Sequence, residues 1–366
     1  TNDKGFTSVR TYYDPAAALR SGTWTAFSSL RAEADFTPPA ALPPGARFDS
    51  DRLYVGVSTE PQPHPTLERF ADAVAAHYEI TPWRRPIPTG WNSWATRYHH
   101  AITEENMLEN ARAAAKTLLP FGMTTFQIDD GWQLAHGDWE PNEKFPHGMK
   151  WIADRIAELG FTPGLWLEPF CVAADSALAR EHPDWIVPKN EYAETLMPKD
   201  WLIIDLTNPE VKKWLDALFR KVGREWGFKF IKIDFIYYAL LGKGYHDPNV
   251  TAVEAYREGL RIIRDALPED AFLLAVGVPI GNSSGIVDGM RLGLDITPQW
   301  QDDEGYAAQG IKPMVRNLAR RYFLNHRVWI NHPDMFYLGS EEESERWDGR
   351  RVTLEEARCY ATLASL

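Results

Sequence analysis

Residues 228–235 read FKFIKIDF, an apolar run that closes on a charged pair, Lys232 and Asp234, two positions apart. Side chains alternate across a strand, so Phe230, Lys232 and Asp234 share one side while Ile231, Ile233 and Phe235 face the opposite layer. An ammonium beside a carboxylate favours the charged form of the acid. Two readings follow, an ordinary strand-end salt bridge or an ionised nucleophile. A second set of carboxylates at other strand ends favours the nucleophile.

From about residue 89 onward, strand-like and helix-like stretches alternate at a spacing that suits repeated βα units and a parallel sheet. The strand cores are GWNSW at 90–94, TTFQIDD at 124–130, TPGLWLEPF at 162–170, FKFIKIDF at 228–235, FLLAVGV at 272–278, GMRLGLD at 289–295 and RVWINHPD at 327–334. Helix starts are signalled between them. Thr103 precedes two acids and an Ala-rich run; Asn208 precedes Pro209 and the stripe Val211, Trp214, Leu218, Val222; Thr353 and Glu356 fit a capping box. The expected fold is α/β, a TIM (β/α)8 barrel over residues 89–366 whose eighth unit falls beyond residue 366. An open doubly wound sheet is the rival architecture.

Residues 1–88 differ. Short β-like pieces, TSVRTYY and RLYVGVST, are separated by proline clusters, and one helical stretch places Leu67, Phe70, Val74 and Tyr78 on one face. The reading is a partial β-rich N-terminal domain joined through TPWRRPIP at 81–88.

The chain has 366 residues, 44% of them hydrophobic, enough for one large core and a smaller appendage. Its net charge of −12, without a Lys/Arg run that tracks a phosphate backbone, argues against nucleic acid as a partner. Cys171 and Cys359 stand alone, so neither a disulfide framework nor a CxxC metal site is proposed. No apolar run reaches membrane-spanning length, and TNDKGFTSVR lacks a signal-peptide core; a trimmed, cytoplasmic chain without a membrane partner is expected. No Gly-rich phosphate loop follows a strand, so no nucleotide cofactor is expected, and the adjacent His99 and His100 lack the partners of a metal site.

In a parallel barrel, functional groups sit at the C-terminal strand ends. Here those ends carry Trp91, then Asp129, Asp130 and Trp132, then Trp166 and Glu168, then Lys232 and Asp234, then Arg291 and Asp295. One ionised and one protonated carboxyl flanking a bond are what retaining glycoside hydrolysis requires, roughly 5 to 5.5 Å apart. Asp234 and Asp295 suit those roles. Arg291 would lie about 13 Å from Asp295 along a straight strand, unless Gly293 allows a bend. Adjacent Asp129 and Asp130 cannot both point inward on a strand, so a turn should begin there. Carboxylate acceptors with aromatic faces are a sugar-binding combination. Trp151, Trp214 and Trp226 read as core, Trp91, Trp132 and Trp166 as ligand-facing. In NHPD the proline suggests a turn, and Asp334 reads as a helix cap or a substrate contact.

Taken in order, GWNSW, FQIDDGW, GDWEPNEKFPHGM, GLWLEPF, KFIKIDF and DGMRLGLDITPQW resemble the alpha-galactosidases of glycoside hydrolase family 36, in the melibiase clan. The resemblance covers about residues 83–345. It implies a retaining double displacement without a cofactor, releasing terminal alpha-linked galactose from oligosaccharides or glycosides. Asp234 would be the nucleophile and Asp295 the general acid and base. Asp129 and Asp130 would hold the O4 and O6 hydroxyls, Trp91, Trp132 and Trp166 would wall the pocket, and Lys232 and Arg291 would contact ring hydroxyls and tune the acids. Family members also self-associate, so a homo-oligomer is expected. Departures are AVGVP at 275–279, where the family often has Cys and Ser near the sugar 2-position, and Asn92 in place of Cys. These keep open an alpha-N-acetylgalactosaminidase or a galactosyl-transferring, raffinose-synthase-like relative. An inactive sugar-binding barrel is the non-enzyme alternative.

Overall fold

The structure, a computed structural model, describes residues 62–94, 98–278, 280–297, 300, 309–336 and 352–365, with Gly45 and the backbone of two strands nearer the start. Those two strands, Phe6–Tyr13 and Phe27–Asp35, form an antiparallel hairpin. TSVRTYY is therefore a strand. RLYVGVST lies outside the described residues.

Seven strands form one parallel sheet: β1 (Gly90–Asn92), β2 (Thr125–Ile128), β3 (Thr162–Leu167), β4 (Phe230–Ile233), β5 (Phe272–Ala275), β6 (Gly289–Arg291) and β7 (Ile330–His332). They pair strictly in chain order, each parallel to the next. A doubly wound sheet would reverse its order at a switch point, and this one does not. The sheet is curled into part of a barrel, because side chains from strands that are not neighbours meet over its concave side. Lys232, just inside the end of β4, reaches Asp129, just past β2, at 2.8 Å across the intervening β3.

Seven longer helices accompany the sheet: α1 (His64–His77), α2 (Glu104–Thr117), α3 (Met149–Glu158), α4 (Pro209–Arg220), α5 (Ala252–Ala266), α6 (Ile311–Arg321) and α7 (Leu354–Ala364). The expected caps are present. Thr103 accepts from the Asn106 amide, Asn208 from the Glu210 amide, and Thr353 forms a reciprocal box with Glu356. Val211, Leu215, Leu218 and Phe219 are the buried face of α4. Ile231 and Ile233 of β4 face outward into the same core and are fully buried. Each such side chain contributes about 1.5–3 kcal/mol through burial.

The concave side is graded. At its lower end Phe230 stacks on Phe272, with Leu274, Val276, Ile330 and Trp83 closing an apolar floor. Lys232 and Asp234 stand above that floor.

Three features among the described residues depart from a plain βα repeat, the first an antiparallel pair of short strands, Gln133–Ala135 and Asp138–Pro141, between β2 and α3. The β5–β6 crossover carries a short 3-10 turn, Ile280–Ser283, instead of an α-helix. Between β3 and β4 the chain inserts a three-stranded antiparallel sheet, with Trp201–Ile204 between Cys171–Ala173 and Ile186–Val187. The inserted sheet is illegible as apolar periodicity, because its strands are only two to four residues long.

Strands β1 and β2 approach closely at Gly90. A Cβ there would lie 1.7 Å from the Thr125 carbonyl oxygen. Gly90→Ala is expected to lower stability by about 3 kcal/mol, whereas Gly281→Ala, with nothing within 4 Å of the added carbon, should be close to neutral; urea unfolding of both variants measures the contrast.

Candidate active site

The mouth of the sheet is organised by Lys232. It is 4% exposed and lies 2.8 Å from Asp129 Oδ2 and 4.0 Å from Asp234 Oδ2. Burial disfavours the ammonium, but the Asp129 and Asp234 charges more than offset it and hold the lysine above its ordinary value. Asp129 Oδ2 also accepts from Asn92 Nδ2 at 2.8 Å and Gln127 Nε2 at 2.9 Å, and its amide donates to Ser93 Oγ at 2.8 Å. The strand stops at Ile128, so the expected turn begins at this pair of acids. Asp130 accepts from Gln133 Nε2 at 2.6 Å and lies 3.4 Å from His100 Nδ1.

Asp234 follows β4 and is 8% exposed. Its Oδ2 accepts from Trp166 Nε1 at 3.3 Å and its Oδ1 from the Phe235 amide at 2.8 Å. That second bond requires an unusual backbone, since Phe235 adopts φ 50, ψ 20. Strain of this kind is found where a carboxylate must be aimed. Gly277, at φ +57, backs onto the same group; a Cβ there would sit 3.2 Å from Asp234 Oδ1 and 3.1 Å from the Phe235 nitrogen. Burial lifts the Asp234 carboxyl above its ordinary value; Arg291, Lys232 and the Phe235 amide oppose it, and Asp295 adds to it.

Arg291 ends β6 and is 8% exposed. Its Nη2 lies 2.5 Å from Asp295 Oδ1 and its Nη1 3.5 Å from Asp334 Oδ1. The separation expected for a straight strand does not arise, because the strand ends at Arg291 and the chain bends through Leu292–Leu294. Although burial pushes the Asp295 carboxyl up, Arg291 and Lys232 outweigh it and hold the group below its ordinary value. This corrects one expectation. In the ligand-free protein Asp295 is the more acidic of the pair, because it holds the guanidinium directly while Asp234 is the more deeply buried.

Of the three aromatic walls expected, one stands beside the carboxylates, Trp166. Trp91 pairs in register with Phe126 and stacks on it at 4.4 Å, on the helix side of the sheet. Strand alternation therefore brings Asn92, not Trp91, to the mouth. Trp132 is fully buried; its indole N–H donates to the Trp166 carbonyl at 3.0 Å, and its ring meets Trp226 edge-on. It supports Trp166 and offers no face to a ligand. Two partly buried aromatics adjoin these residues: Trp94, at the end of GWNSW, and Trp201, which the sequence reading does not single out. Trp94 meets His99 and His100 edge-on, and Trp201, on the inserted sheet, contacts His136 and Phe235. The DWLII stretch at 200–204 was the overlooked signal.

Glu168 continues the inward side of β3 and is fully buried. It lies 3.3 Å from His136 Nδ1, and the Cys171 thiol donates to its Oε2. Burial pushes its carboxyl up to about 7, with His136 and Cys171 pulling the other way. Burial also raises the Cys171 thiol well above its usual range. His332, on β7 beside Arg291, is lowered to about 3 by burial and by the Arg291 and Lys232 charges, so it is neutral.

The chain belongs to the melibiase family, whose profile matches residues 70–258. Among curated proteins it is 31% identical over 160 residues to the alpha-galactosidase AgaA of Geobacillus stearothermophilus, covering 41% of this chain and 21% of that one. It is 30% identical over 161 residues to an alpha-galactosidase of Escherichia coli, covering 42% and 22%. Among solved structures, the Thermus thermophilus alpha-galactosidase TtGalA in complex with p-nitrophenyl alpha-D-galactopyranoside superposes with TM-score 0.66 at 32% identity, covering 80% of this chain and 60% of that one. The family 36 structure of AgaA superposes at 0.57 with 20% identity, a likeness of fold. The matched segments thus span about a fifth of the curated relatives' length.

Two consequences are measurable. Gly277→Ala should lower kcat/KM at least about tenfold, because the added methyl displaces the Asp234 carboxylate, while circular dichroism stays native. Glu168 has a raised folded-state pKa, so its contribution to stability is complete below the ordinary carboxylate range and is lost as pH rises through about 7. Wild type should therefore lose up to roughly 3 kcal/mol relative to Glu168→Gln between pH 4 and pH 8, measured by urea unfolding at both values.

Proposed function

We propose that the chain is the catalytic part of a retaining alpha-galactosidase, which releases terminal alpha-linked galactose by double displacement. The observation that carries this reading is a cluster of buried acids and cations at the strand ends, in which Asp234 lies 4.0 Å from Lys232 and Asp295 lies 2.5 Å from Arg291, whose charge also acts on Asp234. In this reading Asp234 attacks the anomeric carbon, guided by the Trp166 and Phe235 N–H groups, and forms a glycosyl ester. Asp295 gives a proton to the departing oxygen, then takes one from the water that cleaves the ester. Because Asp295 is held by Arg291, a sugar hydroxyl that takes over part of that guanidinium lets the acid hold its proton. Asp129, Asp130, Lys232 and Arg291 are assigned to the sugar hydroxyls, and Trp166 to one wall. The same reading takes the sheet as part of an eight-stranded barrel in which one more strand joins β7 to β1, with a β-rich unit over residues 1–88.

A second reading rests on the wall behind the nucleophile. Val276 is fully buried and belongs to the apolar floor, and Val278 lies two residues further along. Val278, which is only partly buried, presents an apolar side chain where the family often has Ser, and this suits a 2-acetamido group better than a hydroxyl, which favours alpha-N-acetylgalactosaminides. Aryl alpha-glycosides differing only at C2 distinguish the two substrates.

Asp234→Ala should reduce turnover of aryl alpha-galactosides at least about 10³-fold, and Asp295→Ala should lose about 10²–10⁴-fold on substrates with poor leaving groups. Proton NMR of the first product should show retention at the anomeric carbon. Turnover by Asp234→Ala close to wild type, or an inverted first product, would end the assignment.

A further inference from the structure

We infer that Asp334, at the end of β7, is a positioning residue for Asp295, sharing Arg291 with it and anchoring the chain immediately after it; this rests on the acid/base role proposed for Asp295. Asp334 is 6% exposed. Its Oδ2 accepts from the Ile296 amide at 2.8 Å, the residue that follows Asp295. Its Oδ1 lies 3.5 Å from Arg291 Nη1, while Nη2 of the same guanidinium lies 2.5 Å from Asp295 Oδ1. One buried carboxylate therefore grips both the backbone beside the acid/base and the cation that the acid/base holds.

The backbone is arranged to make this grip. Asp334 adopts φ 67, a left-handed conformation that few non-glycine residues take. Its amide donates to His332 Nδ1 at 3.3 Å, and the preceding Pro333 carbonyl accepts from the Tyr360 hydroxyl of α7. A helix from beyond the sheet thus fixes the turn that presents the carboxylate. A mere turn cap would bond its own segment; Asp334 instead bonds a chain 38 residues away. The segment it anchors is the bend from Leu292 to Thr297, which has no regular structure of its own.

The groups facing this carboxylate fix the direction of its influence. Arg291 and Lys232 are the cations, Asp295 is the nearby anion that raises it, His332 is neutral, and the Tyr360 hydroxyl is close by. Arg291 in turn also feels Asp234 and Asp129. Asp334 and Asp295 are like charges dividing one guanidinium. Each carboxylate present weakens the hold of Arg291 on the other, so Asp334 keeps Asp295 from being captured completely. Removing the Asp334 charge leaves Arg291 to Asp295 alone, which makes Asp295 a stronger acid and so leaves it protonated in a smaller fraction of molecules at a given pH.

The test uses the protein as it stands and follows kcat against pH, which reports the enzyme–substrate complex in which Asp295 holds its proton, for two aryl alpha-galactosides, one with a good and one with a poor leaving group. Asp334→Asn keeps an acceptor for the Ile296 amide but loses the charge. It is expected to fold normally, to move the basic limb of the profile down by roughly one unit, and so to lose about tenfold on the poor leaving group at pH values above that limb while sparing the good one. Asp334→Ala loses the anchor as well, and about 10²-fold is expected on the poor leaving group. Should the alanine variant unfold, the asparagine variant decides. A basic limb coincident with wild type, or equal losses on both substrates, would overturn the inference. Asp295→Ala measured alongside separates the two claims. If it loses poor-leaving-group activity while Asp334→Asn matches wild type, only the positioning role fails; if it loses nothing, the acid/base reading fails and the role of Asp334 falls with it.

Discussion

The contact between Lys232 and Asp129 is the constraint from which the rest of the mouth follows. Two opposite charges, 5% and 2% exposed in their side chains, meet over a strand that belongs to neither. Isolated charges at such depth would be unstable by several kcal/mol each, so each must be matched in place. The match requires the sheet to curl, because a flat sheet would hold β2 and β4 about 9.6 Å apart. Burial of the pair thus ties tertiary curvature to local chemistry. Asn92, Gln127 and Ser93 complete the hydrogen bonding of Asp129, and Lys232 is left with its remaining reach toward Asp234.

A second balance sits across the mouth at Arg291. Asp295 and Asp334 divide one guanidinium while Asp234 feels it from the neighbouring side. The site therefore contains more carboxylates than cations, and it stays charged by distributing two positive groups among several acids. Such an arrangement suits a reaction in which positive charge develops at a sugar carbon. The aromatic residues act mainly as scaffolding. Trp132 holds the Trp166 carbonyl, Trp166 holds Asp234, and only the last of these contacts touches a candidate catalytic group.

The sheet was largely legible in the sequence because each strand core is a short apolar run ending in polar residues, and the parity of FKFIKIDF assigned Lys232 and Asp234 to the concave side correctly. The same parity rule, applied to GWNSW, would have placed Trp91 on the helix side, and the attraction of an aromatic at a strand end overrode it. Trp132 was misplaced for a different reason. It follows a turn, where alternation no longer predicts direction. Asp334 gave only a proline-turn signal, since its partners Ile296 and Arg291 are remote in sequence and a left-handed backbone has no mark in an aspartate. The inserted sheet escaped notice because strands of two to four residues carry too little pattern.

That inserted sheet has its own small apolar cluster, in which Cys171, Val187, Ala193, Met197 and Ile203 surround Tyr238 and Leu241. Tyr238 and Leu241 come from the turn that follows Asp234, so the insertion and the catalytic strand are stitched at one seam. Chain segments with a private core open and close together, at a free energy distinct from that of the main body. Thermal breathing of this roof would loosen the backbone behind Asp234 before it disturbed the strands. The inserted sheet and the turn behind Asp234 are mechanically one piece, so a substitution in the roof is transmitted to the backbone that positions this carboxylate.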